Sequence, residues 1–262
     1  MGARIYGTRM LELDGSEGGG QLLRTALSLA TITDTTFEMD DIRGSRPKPG
    51  LRPQHLTAVN LVAELSGASV EGAELDSEVL AFEPGDDWTT DLAVDVGTAG
   101  SLTLLFDTVL PIGATVDEAV TVAATGGTDV KWSPTVGYFQ HVKLPLLQRF
   151  GLDATVDVER RGFYPKGGGN ATLQTGLSSL QPVELTDRGA LATVEIRSIA
   201  SESLAEQEVA ERQADRAAEL LADADLPTSV EQVETVPSDC PGSSLLLRGV
   251  YDRTLVGVDE LR

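Results

Sequence analysis

The chain repeats itself with a period near eighty residues, and that period limits its fold more than any single motif does. In the first copy Met10-Leu11-Glu12-Leu13 reads as a strand and runs into Asp14-Gly15-Ser16-Glu17-Gly18-Gly19-Gly20. An apolar helix over 21–32 follows. In the second copy 92–96 is the strand, Gly97-Thr98-Ala99-Gly100-Ser101 the turn and 102–110 the helix. Asp14 and Asp95 take equivalent places 81 residues apart.

The match continues. Strands are predicted at 37–42 and 119–124, helices at 56–65 and 136–150, and closing strands at 79–82, 154–158 and 170–174. The unit is thus β-α-β-α-β-β. A third copy opens at Val183-Glu184-Leu185 and is not finished. From Ala190 the texture changes to a strand at 192–199, a capping box of Ser203 and Glu206 before a helix to about 221, and strands at 228–236, 243–251 and 255–258. The expected class is α+β. A large domain covers 1–189, with repeat 1 at about 10–85, repeat 2 at about 91–176 and the start of repeat 3. Residues 190–262 form a small inserted α+β domain and the chain end.

Charge narrows the function. Lys and Arg number 20 against 41 Asp and Glu, a net of −21, but residues 1–60 balance to zero and 131–182 carry +3. Residues 61–130 hold −14 and 183–262 hold −10. A chain this acidic that keeps its cations in two segments uses them on an anion. Only four lysines stand beside sixteen arginines, and the acidic surface suits a salt-rich, halophile-like setting where screening is short. The single Cys240 excludes an intrachain disulfide framework. The first residues lack the apolar core of a signal peptide and no stretch is apolar enough to span a bilayer, so a cytoplasmic protein without membrane contact is expected.

Two motifs carry chemistry. Gly18-Gly19-Gly20 lies between a strand and a helix, so its free N–H groups form either an anion site at a helix N-terminus or a tight turn. The adjacent Glu17 suits a phosphate cradle only with a divalent cation between them, and Arg24 lies one turn into the helix. Four cations and a histidine then fall within thirteen residues, as Arg43, Arg46, Lys48, Arg52 and His55, in a loop stiffened by Pro47, Pro49 and Pro53. Arginine forks match phosphate oxygens. The cluster Gly162-Phe163-Tyr164-Pro165-Lys166-Gly167-Gly168-Gly169 either admits a close-lying nucleotide or strand or bends a hairpin, and Gly126-Gly127-Thr128-Asp129 before Lys131-Trp132 is weaker. Cys240 has no neighbouring Cys or His, and His141 falls within a predicted helix with a packing or surface role.

These motifs, with Thr98-Ala99-Gly100-Ser101 and Thr108-Val109-Leu110-Pro111, resemble the RNA 3′-terminal phosphate cyclase family, in order and over essentially the whole chain. The resemblance implies an ATP-dependent ligase. A histidine takes AMP from ATP with the help of Mg²⁺ or Mn²⁺, passes it to an RNA 3′-phosphate end, and the neighbouring 2′-OH closes a 2′,3′-cyclic phosphate. It places Glu17 at the metal and triphosphate and Arg24 at developing phosphate charge. Gly18, Gly19, Gly20 and Asp107 fall on the ATP side, with the 126–134 stretch, and Arg43, Arg46, Arg52 and His55 on the RNA phosphate.

Two departures stand out. Asp107 replaces the family's usual Gln, and an acid facing a phosphate is electrostatically unhelpful. The family's nucleophilic histidine lies late, beyond the insert, and this chain, whose only histidines are His55 and His141, stops at Arg262. The sequence therefore predicts a truncated member that binds nucleotide or RNA ends. The alternative is a non-catalytic, cyclase-like RNA-binding or ribosome-assembly protein. Oligomeric state leaves no trace in the sequence.

Overall fold

The computed structural model describes residues 10–97 and 99–262, so Thr98 of the second turn and the first nine residues lie outside the described part. The eighty-residue period reappears as matched topology. Strand β1 (Leu11–Asp14), helix α1 (Gly20–Thr33), β2 (Phe37–Asp40), α2 (Pro53–Ser66), β3 (Ser69–Glu71) and β4 (Leu80–Glu83) form one unit, its sheet ordered β1-β2-β4-β3. In the second, β5 (Asp91–Asp95), α3 (Leu102–Gly113), β6 (Val120–Gly126), a helical segment, β7 (Ala154–Arg160) and β8 (Gly169–Thr175) give the order β5-β6-β8-β7. In each sheet the first two strands are parallel and the remaining pairs antiparallel. The second unit's helical segment is irregular. Short α-helical ends, α4 (Val136–Tyr138) and α5 (Leu144–Gln148), flank a π-helical turn at Phe139–Lys143.

The helices meet because each buries one stripe. Leu23, Leu27 and Ala30 of α1 recur at spacings of three and four, the period of one helix face, and all are buried. They join Val59 and Val62 of α2 and Leu105, Phe106 and Val109 of α3 in one core spanning both units. Each such fully buried Leu or Phe contributes about 1.5–3 kcal/mol by leaving water. Ser28 Oγ donates to the Thr108 carbonyl at 2.7 Å, joining equivalent points of the two repeats. Phe106 meets Phe139 edge-on with ring centres 6.2 Å apart.

The remaining sheet is ordered β10-β9-β11-β12, from β9 (Leu191–Ser201), β10 (Thr228–Val236), β11 (Ser243–Tyr251) and β12 (Leu255–Leu261). Helix α6 (Val209–Asp223) crosses from β9 to its parallel neighbour β10 and packs Ala214 and Ala217 on Ile196. This sheet docks on the second repeat. Phe163 packs with Ile199 and Cys240, Val142 with Leu246 and Leu255, and the Thr135 N–H donates to Asp259 at 2.6 Å.

Two expectations are corrected. Residues 183–185 form no strand, and Val183 and Leu185 are exposed, so the strand expected there is irregular chain. The Ser203–Glu206 capping box does not start the helix: residues Glu202–Gln207 make a 3₁₀ turn, Ser203 pairs with Ser201, and α6 begins after Glu208 in a left-handed conformation. Strand β3, three residues long between Gly67 and Gly72, supplies the second closing strand that the β-α-β-α-β-β unit calls for and that the sequence leaves without bounds. The Gly162–Gly169 cluster resolves as a hairpin. A methyl group at Gly162 would lie 2.3 Å from the Gly169 nitrogen, and Gly162 is bonded on both sides to Thr128.

Candidate active site

The site is built where α1 and α2 begin. Gly19 is the N-cap of α1 with extended backbone, and having no side chain it leaves the helix's first N–H groups without a capping oxygen. The N-terminal end of a helix favours an anion through those donors and the helix dipole. Glycine is needed here for space. A Cβ at Gly20 would lie 2.1 Å from His55 Nε2 and 3.1 Å from an Arg24 guanidinium nitrogen, and one at Gly19 would lie 3.2 Å from Arg46 Nη2. Three donors from three segments therefore converge on the glycine turn.

His55 is placed by the start of its own helix. Arg52 is the N-cap of α2, Pro53 follows with its backbone preset for the helix, and His55 Nδ1 accepts the Arg52 N–H at 3.1 Å. The ring is buried, and burial followed by the charges of Arg43, Arg24 and Arg52 pushes its pKa down to about 4. At neutral pH it is uncharged. With Nδ1 accepting, the proton sits on Nε2, so the nitrogen facing Gly20 is a donor and has no free lone pair. That tautomer binds an anion and does not attack one.

The other predicted residues divide. Arg24 is half-buried, and burial works against its charge while Asp107 supports it. Arg46 is exposed against Gly19. Arg52 pairs with the exposed Asp76. Arg43 is in the left-handed region and donates to the carbonyls of Lys48 and Gly50 at 2.9 and 2.8 Å, so it folds the loop that carries the other cations. Glu17 is exposed at the turn ahead of Gly18. Among the described residues no three His, Cys, Asp or Glu stand together to hold a metal ion. Magnesium commonly takes one or two carboxylates and completes its shell with water and substrate phosphates. Glu17, a single exposed carboxylate, would supply one ligand of such an ion.

Asp107 is no bare acid. It pairs with Lys143, which the π-helical turn presents, and it lies near Arg24. These three line a cleft of about 540 Å³ with Gln21, Trp132 and Pro134. A second cleft of about 420 Å³ is lined by Arg52, Gln54, Ser101, Lys131, Trp132 and Tyr164. Gln54 fixes the border between repeats: its Oε1 accepts the Ser101 N–H at 2.6 Å and its Nε2 donates to the Ser101 carbonyl at 3.0 Å. Lys143 and Gln54 were missed in the sequence. The available signal for Lys143 was lysine scarcity, since two of the four lysines, Lys131 and Lys143, line these clefts.

His141 lies elsewhere. It lines a cleft against the small domain with Arg160, Arg161 and Glu234, and its carbonyl accepts Arg248 at 2.7 Å. Burial, then Arg197, Arg248 and Arg161, push its pKa down to about 4. Cys240 is buried with its Sγ 3.2 Å from the Phe163 carbonyl, a packing role. Among the described residues no helix is long and apolar enough to cross a membrane.

Residues 15–258 match the sequence model of a family described as RNA 3′-terminal phosphate cyclase. A Halobacterium salinarum protein of that name is 45% identical over 260 residues, covering 95% of this chain and 74% of the relative. One from Ralstonia nicotianae is 43% identical over 257 residues, covering 96% and 72%. One from Saccharolobus islandicus is 38% identical over 255 residues, covering 96% and 74%.

Proposed function

The chain belongs to the RNA 3′-terminal phosphate cyclase family, and from that premise we propose that it binds ATP and an RNA 3′-phosphate end for ATP-dependent cyclisation of that end. The observation that carries this reading is the convergence of Arg24, Arg46 and His55 Nε2 on the uncapped end of α1. In the reaction the RNA 3′-phosphate takes AMP with release of pyrophosphate. The 2′-oxygen then attacks that phosphorus, AMP leaves, and a 2′,3′-cyclic phosphate remains. Both halves need two phosphates side by side with their charge offset, which three converging donors supply.

ATP occupies the cleft of Arg24, Asp107 and Lys143, with its phosphates toward Gly18–Gly20. Lys143 balances Asp107 and keeps the acid from repelling the nucleotide. Arg46, Arg52 and His55 hold the RNA phosphate. A bound Mg²⁺ or Mn²⁺ would lower the charge of the triphosphate and make its phosphorus more electrophilic. Glu17 would hold it.

A second reading is favoured by the His55 tautomer. Neither histidine of this chain presents a free ring nitrogen to the glycine turn, since His55 is a donor there and His141 faces the small domain. In that reading the chain binds RNA ends without adenylylating itself. Incubation with ATP and magnesium in molar KCl, followed by intact mass, separates the two: a gain of one AMP sinks the second. Filter binding tests what they share, tighter retention of a 3′-phosphorylated than a 3′-hydroxyl oligoribonucleotide. Equal retention would remove the RNA-phosphate site.

A further inference from the structure

The helical segment of the second repeat that answers to α2 is broken, and the break ties the small domain to the cleft of Arg24, Asp107 and Lys143. Helix α2 runs without interruption from Pro53 to Ser66. Its counterpart contains Pro145, which has no N–H, so the bond that a continuing α-helix would make to the carbonyl four residues back, that of His141, cannot form. The chain takes its π-helical turn just ahead of that proline, with the Leu144 N–H on the Phe139 carbonyl five residues back. The His141 carbonyl instead accepts Arg248 Nη1 of β11 at 2.7 Å. That guanidinium is itself tied down. Its Nε donates to Glu195 Oε2 of β9 at 2.8 Å, its Nη2 lies 2.6 Å from the same oxygen, and Arg248 and Glu195 are partners in the sheet register.

Val142, next in the turn, packs against Leu246 and Leu255 of the same sheet. Lys143 follows, half-buried, pairing with Asp107 of α3 and standing 5.2 Å from the centre of the Phe139 ring. Three consecutive residues therefore carry the small domain's hold to the lysine that lines the cleft. We propose that Arg248 is a positioning residue for the nucleotide, fixing the π-helical turn through the His141 carbonyl so that Lys143 stays against Asp107. Among the described residues none of the small domain lines that cleft, yet the small domain sets its charge balance. The proposal rests on the assignment of ATP to the cleft and adds to it a remote residue on which the affinity depends. Without the Arg248 bond the turn loosens, Lys143 leaves Asp107, and the acid meets the triphosphate with less charge to offset it.

The chain has four lysines, so ¹³C-methylation of its amines gives few NMR signals, and Lys143→Arg identifies the one that matters. Asp107→Asn shows where that signal moves when its carboxylate is lost. Arg248→Met is expected to move it the same way, with no nucleotide present, and to leave the signals of Lys48, Lys131 and Lys166 in place. The substitution keeps Glu195 paired with Arg197, at 2.7 Å, so it leaves no unpaired acid. Pro145→Ala reaches the turn without touching the small domain, by supplying an N–H that competes for the His141 carbonyl, and should move the Lys143 signal too. Calorimetric titration with ATP and magnesium reads the consequence. Arg248→Met should weaken binding about threefold to thirtyfold, and by less than about twofold in a Lys143→Met background. Equal losses in the two backgrounds would show Arg248 acting by another route and overturn the proposal. An unmoved Lys143 signal in Arg248→Met overturns it as well, while ATP binding by the wild type leaves the ATP reading intact. Where that variant does not fold, Pro145→Ala decides by the same rule. If the Lys143 signal moves and neither Arg248→Met nor Asp107→Asn alters ATP affinity, the cleft does not take ATP, and the proposal falls together with that reading.

Discussion

The two repeats share a fold and differ at the points where their helices begin. Both first strands end in an aspartate whose Oδ1 accepts the N–H two residues on, Asp14 from Ser16 at 2.8 Å and Asp95 from Gly97 at 2.7 Å. Beyond that the repeats part. In the second, Ser101 caps α3 through Leu104, its own N–H is taken by Gln54, and Thr135 caps the next helix through Tyr138. In the first, Gly19 offers no side chain to cap α1, its carbonyl accepts the Leu22 N–H at 3.1 Å, and Arg46, Arg24 and His55 stand around the glycine turn. Closed helix ends stabilise and open ones bind. One duplicated frame therefore carries closed helix starts in its second half and an open start of α1 in its first, distinguished by a few side chains at its turns.

The arginines show the same division, and the largest expected effect follows from it. Arg161 of the second repeat is buried and donates to both oxygens of Asp129, itself 1% exposed, at 3.2 and 3.1 Å. Arg161→Met leaves that carboxylate buried without its counter-charge, held only by the Thr128 hydroxyl at 2.7 Å, which should cost about 3–5 kcal/mol of stability in urea titrations. Arg46→Ala removes an exposed guanidinium over Gly19 and should stay within about 0.5 kcal/mol of wild type, while weakening ATP or RNA-end binding. A large stability loss at Arg46, or none at Arg161, would reverse the assignment of the two halves.

Histidines test it by pH. Both sit near pKa 4 in the folded chain, below the ordinary value of 6.5. Between those values the unfolded chain binds more protons, so stability is full above about pH 6.5 and falls as pH drops toward 4, at about 1.4 kcal/mol per unit for each histidine once the unfolded ring is protonated. His55→Gln should remove one histidine's share of that slope. Added pyrophosphate should raise the His55 pKa, because an anion at α1 favours the imidazolium, and leave His141 where it is. Ring-proton NMR titration reads both. Equal movement of the two would mean that the anion binds elsewhere.

Much of this frame was legible because strand and helix periods are local. The runs that became β1, α1, β5 and α3 each carry their own pattern, and the glycine turn sits between the first two as read. What escaped was set across the chain. The Asp107–Lys143 pair joins residues 36 apart, and the Gln54–Ser101 clamp joins residues 47 apart. Neither leaves a periodic trace. Val183-Glu184-Leu185 alternates like a strand, yet among the described residues it bonds to no neighbouring strand. The Arg43–His55 run reads as one set of phosphate ligands, and the sequence does not show that Arg43 also holds the loop through the Lys48 and Gly50 carbonyls or that His55 and Arg46 stand against the glycines. Composition cannot divide such labour.

Caps give smaller effects. Ser101→Ala removes the side chain that closes α3 and should cost about 1 kcal/mol, with ATP affinity unchanged because Ser101 lies outside the Arg24 cleft.

The smallest stability change is expected where function should suffer most. Gly19 has φ of −102° and ψ of −171°, a conformation open to any residue, so Gly19→Ser gives α1 the same kind of cap that α3 already has. The new Cβ would lie 3.2 Å from Arg46 Nη2, the tip of a flexible side chain that can shift. Serine caps better than glycine by only a few tenths of a kcal/mol, so thermal unfolding should move up slightly or not at all. The new hydroxyl would accept an N–H that otherwise faces the anion and would stand in the space under Arg46. Calorimetric titration with ATP should therefore show weaker binding in a variant at least as stable as its parent. Unchanged affinity would mean that the open end of α1 is no receptor, and that the two repeats differ there for reasons of packing alone.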